Sequence, residues 1–212
     1  MNPRTMDMAS LRLAQLRPRQ QGFTLIEVLV AIVVFSFGML GMVGLQAAAM
    51  QANRESRMQN QATALARELA EMMRGNKVIA VKTAAADNPY LVELSVGALT
   101  IATPSYCLSV SNAADGCSSP AAVAAAQMTD WLARLDAALP GAQVSVCFDS
   151  APYASTGMPQ WTCNSTGAND IAFIKIGWTQ GSTDRTQTGS NAFQTASDRP
   201  NLVIPVTSGN SV

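Results

Sequence analysis

Few residues of this chain have the types and spacing that chemistry needs. Glu27 is the first. It is the lone carboxylate at the start of an apolar run from Gly22 to Leu45, and no charge follows from Val28 to Asn53. A carboxylate at the centre of a bilayer costs about 2.5–3.5 kcal/mol, so intramembrane acids are functional candidates by default. A plainer reading also fits: a carboxylate near a helix end that reaches the interface. The second set is the four cysteines, Cys107, Cys117, Cys147 and Cys163. Neither local spacing is Cys-x-x-Cys and the chain has no histidine, so a zinc site is not expected and two disulfides are. Three pairings exist. Cys107–Cys117 and Cys147–Cys163 are favoured because each closes a short loop rich in Gly, Ser, Asn or Pro. Other chemistry is missing. Without histidine there is no Ser-His or Cys-His nucleophile. No phosphate-cradling Gly-x-x-x-x-Gly-Lys loop and no Asp-rich calcium loop appears. Asp130, Asp136, Asp149, Asp170 and Asp184 are scattered and read as solvated surface charge. No enzyme, cofactor or catalytic residue is expected.

Elements must position Glu27 and the cysteines. About 20 apolar residues at roughly 1.5 Å rise cross a hydrocarbon core of about 30 Å, so the run reads as a membrane-spanning helix. Lipid offers the backbone no hydrogen-bond partner, which requires a helix. Before it, residues 1–22 form a leader with Arg4, Arg12, Arg17 and Arg19 against Asp7. These arginines keep the N-terminus cytoplasmic, so the head lies outside the cytoplasm. Removing 22 residues from 212 leaves 190, with ten basic and thirteen acidic side chains. A net charge of −3 is not a nucleic-acid-binding balance. An ordinary secretory signal is cut beyond its apolar core. Here only Ala47-Ala48-Ala49 offers such an exit, and it stands as the alternative cut.

The helix is expected to run from Phe23 to about Arg74. Residues 23–52 form its membrane half and 53–76 its amphipathic half. Met58, Ala62, Leu65, Leu69 and Met72 recur at three- and four-residue steps on one face, opposite Arg54, Arg57, Arg67 and Glu71. Gly38, Gly41 and Gly44 weaken the apolar half, whether as tolerated membrane glycines or as points of close packing. Residues 77–212 are expected to form an extracytoplasmic α+β head, a small antiparallel sheet packed on the amphipathic half. Lys77–Pro89 reads as a loop. Leu91–Leu94, Leu99–Ala102 and Cys107–Val110 are short strand candidates. Pro120–Leu139 reads as a helix with Pro120 at its first position. Val144–Phe148 and Ile171–Trp178 are strands, with a Cys-tied excursion between. Gly181–Pro200 reads as a polar loop, and Asn201–Val206 as a last strand that Pro205 places at an edge. Trp131, Trp161 and Trp178 read as packing residues.

The string Gly22-Phe23-Thr24-Leu25-Ile26-Glu27 with its apolar helix resembles the class III signal peptide of type IV pilins and type II secretion pseudopilins. That resemblance implies cleavage between Gly22 and Phe23 by prepilin peptidase and N-methylation of Phe23. It also implies a role for Glu27 in assembly with other minor and major pilins. A pilin-like fold follows, as does residence in the inner membrane and then in the pilus fibre. The segment Asp130-Trp131-Leu132 to Ala138-Leu139-Pro140-Gly141, the strand carrying Cys147, and Ile174-Lys175-Ile176-Gly177-Trp178-Thr179 resemble the PilV family of minor pilins, the type IV pilus modification proteins. Gly177 departs from that pattern, which often has an aromatic there. The expected function is a minor pilin that primes or enters the fibre, with a tip adhesin as a further partner. A minor pseudopilin of type II secretion, or a single-pass anchored binding module, is the alternative.

Overall fold

A computed structural model describes residues 22–94, 99–165, 167, 170–182, 186–196 and 198–207. The expected leader, apart from Gly22, lies outside them. The chain divides into two compact units, residues 1–49 and 50–212. Helix α1 (Leu25–Gly75) begins in the first and ends in the second.

Within the first unit, α1 opens at a Thr cap. The carbonyl of Thr24 accepts from the amides of Glu27 and Val28, and Thr24 Oγ1 lies 3.4 Å from the Glu27 amide. Every residue from Gly22 to Ala49 is exposed. The exposed side chains include Leu29, Ile32, Phe35, Phe37, Met39, Leu40 and Val43. Ser36 returns its hydroxyl to the Ile32 carbonyl at 2.7 Å, so the segment carries no unsatisfied hydroxyl. By length and composition this helix can cross a membrane. Among the described residues, a Cβ at Gly38, Gly41 or Gly44 would meet nothing within 4 Å. No intrachain packing therefore requires these glycines.

The second unit is α+β. Its part of α1 buries Met58, Ala62, Ala66, Leu69, Ala70 and Met73, close to the expected stripe. A short helix α2 (Lys77–Ala80) follows at once and buries Ile79 and Ala80, where the sequence suggested only a loop. Gly75-Asn76 does end α1, as a Gly-Asn pair should, and the burial of Ile79 and Ala80 holds the separate short helix beyond it. Strand β1 (Val92–Leu94) comes next. Helix α3 (Pro120–Ala138) starts as expected: Ser119 Oγ accepts from the Ala122 amide at 3.1 Å and Pro120 occupies the first turn. Met128, Trp131, Leu132, Leu135 and Leu139 are all buried. Gly141, at φ 60°, supplies the left-handed turn that returns the chain into the sheet.

Strands β2 (Gln143–Asp149) and β3 (Ile171–Gly177) form the centre of a four-stranded antiparallel sheet of order β1-β2-β3-β6. Between β3 and β6 (Leu202–Val206), the strands β4 (Gln180–Gly181) and β5 (Phe193–Gln194) pair into a small ribbon. The expected structureless loop is thus partly folded. Strand β6 pairs only with β3, so Pro205 sits on an edge strand. On one face of the sheet Val144, Val146, Ala172, Ile174, Ile176 and Val206 join a single core with α1 and α3. Trp131 Nε1 donates to the Leu65 carbonyl at 2.9 Å, and Asn76 Nδ2 to the Pro120 carbonyl at 2.7 Å, tying α3 to α1.

Two expected strands do not form. Leu99–Ala102 pairs with no strand, and Cys107–Val110 is turn leading into a 3-10 turn at Val110–Asn112. Inside the Cys107–Cys117 disulfide loop the backbone of this second segment is used in local turns instead, the Ser109 amide donating to the Tyr106 carbonyl and the Asn112 amide to the Ser109 carbonyl.

Candidate functional site

Gly22, Phe23 and Glu27 all lie at the open N-terminal end of α1. Phe23 is 82 % exposed, and the carboxylate of Glu27 has no partner among the described residues. A carboxylate in the first turn also faces the positive end of the helix dipole. Thr24-Leu25-Ile26-Glu27 further has the Thr-x-x-Glu form of a helix start, a signal legible from sequence. The arrangement leaves the N-terminal end of the apolar helix accessible and an anionic side chain in want of a cation.

The other predicted site residues form two cross-links. Cys107 is bonded to Cys117 and Cys147 to Cys163. The second bond, of separation 16, ties the excursion after β2 back onto β2. That excursion covers the sheet face opposite the main core. It contains a bridge between Tyr153 and Pro159, and Trp161 Nε1 donates to the Ala196 carbonyl at 2.9 Å. Trp161 explains Gly177: a Cβ there would stand 2.7 Å from Trp161 Cζ2, which occupies the space a side chain would need.

Beneath this cover lies a feature that sequence reasoning missed. Asp149 is not solvated. It and Lys175 have side chains 0 % exposed, and Lys175 Nζ is 2.6 Å from Asp149 Oδ2. Lys175 also donates to the carbonyls of Thr162 at 2.8 Å and Trp161 at 3.3 Å. Asp149 Oδ1 accepts from the amides of Ala151 at 2.9 Å and Asn164 at 3.1 Å. Three protein acceptors thus surround the ammonium, and three donors the carboxylate. Such satisfaction is what a buried ion pair requires. Burial alone pushes the Asp149 carboxyl up, but Lys175 and the two amides outweigh it and hold the group below its ordinary range. A depressed pKa means stability that is fully present above about pH 4, where the unfolded carboxylate is ionised, and lost as pH falls through the folded value. Unfolding by urea should therefore change little between about pH 7 and pH 5 and ease steeply below about pH 4. The acid-limb loss should shrink in Asp149→Asn; an unchanged acid limb would remove Asp149 from the explanation.

A third cluster joins α1 to α3. Arg134 makes two bonds of 2.7 Å to Glu68, and its Nε donates to Asp130 at 2.9 Å. The guanidinium beside Glu68 holds that carboxyl below its usual value, and Glu68 and Asp130 push Arg134 up. These side chains are about half exposed, so solvent screening keeps their contribution small. Of the other acids, Asp136 is exposed, Asp170 accepts from the Gly167 amide at 3.2 Å, and Asp184 lies outside the described residues.

The exposed apolar helix, its open N-terminal end and the antiparallel head are the architecture of a pilin-type protein. Residues 17–43 match the family described as the prokaryotic N-terminal methylation motif. The match covers the leader's end, Gly22, Phe23, Glu27 and most of the apolar run, and it supports a type IV pilin or pseudopilin. It implies processing by prepilin peptidase and assembly with other pilins, in a family that is structural rather than enzymatic. No curated protein and no solved structure matches the chain.

Proposed function

We propose that this chain is a minor pilin of a type IV pilus, cut between Gly22 and Phe23, methylated at the new Phe23 amine, and carried into the fibre. The observation that carries the reading is the motif Gly22-Phe23-Thr24-Leu25-Ile26-Glu27 in one register at the open start of a fully exposed apolar helix. Leader arginines favour a cytoplasmic N-terminus and an inner-membrane precursor. Gly22 suits a peptidase because a residue without a side chain lets the backbone enter a narrow site. The choice of a PilV-like minor pilin is supported by the Asp130-Trp131-Leu132 helix and by the Ile174–Thr179 segment. Gly177 departs from that pattern, and Trp161, from the excursion after β2, occupies the space a side chain there would need.

Mass spectrometry of the mature N-terminus tests the proposal. The expected chain begins at Phe23 and is one methyl group heavier than the bare sequence. Gly22→Val should leave the precursor uncut in the inner membrane, 22 residues longer than the mature form. A normal-sized product from that variant, or a mature chain beginning after Ala49, would overturn the reading. Sheared-fibre fractions then separate a pilus subunit from an anchored module that never leaves the membrane.

A further inference from the structure

A groove of about 850 Å³ opens between α1, α3 and the segment that precedes the first disulfide loop. Its floor is apolar, with Met72, Leu99 and Ile101. Tyr106 and Leu108 line it while 64 % and 57 % exposed. One wall is Leu99–Pro104, whose first four residues, Leu99–Ala102, read as a strand in the sequence and whose chain bends at Ala102–Thr103. Leu99 and Ile101 do turn inward and Thr100 and Ala102 outward, as in a strand. Yet among the described residues the backbone of Leu99–Pro104 makes no hydrogen bond. Open strand backbone beside an apolar trough is the geometry in which an added strand gains main-chain bonds and side-chain pockets together.

The groove's charge says what kind of strand. Glu68, Asp130 and Asp136 line it against Arg134 alone, a net of −2. Arg134 is already held by Glu68 through two bonds and by Asp130 through a third. Asp136 has no cation among the described residues, and Asp130 keeps 73 % of its side chain in solvent. An anionic occupant would meet repulsion with no free cation in the groove to offset it.

We propose that this groove binds an extended segment of a partner protein, alternating in apolar side chains and carrying a Lys or Arg. The peptide pairs along Leu99–Ile101, places its apolar residues over Met72 and Ile101, and sets its cation against Asp136 and Asp130. This surface does not depend on the pilin reading, because every residue in it belongs to the second unit.

Selection of a random peptide library on the full chain in detergent micelles tests the proposal. The enriched sequences should alternate apolar residues with at least one Lys or Arg. The resynthesised best peptide should slow hydrogen exchange at the amides of Thr100 and Ile101. Its affinity should fall about tenfold or more in Asp136→Lys, which reverses an exposed charge, and in Ala133→Trp, which fills the groove from an exposed position on α3. No enrichment, an acidic consensus, or binding indifferent to both variants would overturn it. Self-association of the chain that Ala133→Trp abolishes would also overturn it, by making the occupant a second copy.

Discussion

Lys175→Met is expected to destabilise the second unit by about 3–5 kcal/mol, because it removes one member of a buried pair and leaves the other charged. Against a typical domain stability of about 5–15 kcal/mol, that loss removes a large share of the margin. Methionine keeps the volume of the lysine stem, so the effect isolates the charge. Asp149 would remain in a site with no exposure, holding only the Ala151 and Asn164 amides. The Trp161 and Thr162 carbonyls would lose their donor as well. Asp149→Asn/Lys175→Met should recover part of the loss, since it removes the uncompensated charge while keeping an acceptor for both amides. The measurement is urea unfolding of the full chain in detergent micelles, followed by tryptophan fluorescence. A single variant within about 1 kcal/mol of the parent would show that water reaches the site and that the pair is not truly buried.

Glu27→Ala is expected to insert and to be cut, but not to enter the fibre. Cleavage at Gly22 would create an ammonium at Phe23, four residues before the carboxylate. Glu27 finds no cation among the described residues of its own chain. The proposed complement is the N-terminal amine of a neighbouring subunit. In lipid, a carboxylate is tolerated when a counter-charge and hydrogen bonds replace its water. The pair forms only when adjacent helices are correctly offset, and so assembly acquires a register. Glu27→Gln should be nearly as poor, since an amide bonds hydrogen but carries no charge. Complementation of a deletion strain, scored by piliation and by the protein in sheared fractions, gives the answer. Full incorporation of Glu27→Ala would end the proposed role and favour a membrane-anchored module.

Much of the frame was legible because it obeys local rules. The span of α1 follows from an unbroken apolar run and then a stripe at helical spacing. The start of α3 follows from Ser119 and Pro120, whose effects act within one turn. The central strands β2 and β3 follow from β-branched runs, and the edge position of β6 from the missing donor of Pro205. What failed was non-local. Leu99–Ala102 has the pattern of a strand but no partner among the described residues, and a strand needs a second strand to exist as one. The helix α2 and the β4–β5 ribbon are short elements held by burial and pairing, where propensity says little.

Lys175 and Asp149 mark the boundary most clearly. Lys175 interrupts an apolar run, which hinted that it needed a counter-charge. Nothing local says that the counter-charge is Asp149, 26 residues earlier. The β2–β3 register places Lys175 opposite Ser145, on the same face as Cys147 and Asp149. The Cys147–Cys163 bond then draws Trp161 and Thr162 over that face and excludes water. Sequence alone determined the processing motif, the apolar helix and the cysteines' oxidised use, because each depends on residue type and short-range spacing. Only the tertiary structure decided which charges are buried, because burial depends on what the rest of the chain lays on top.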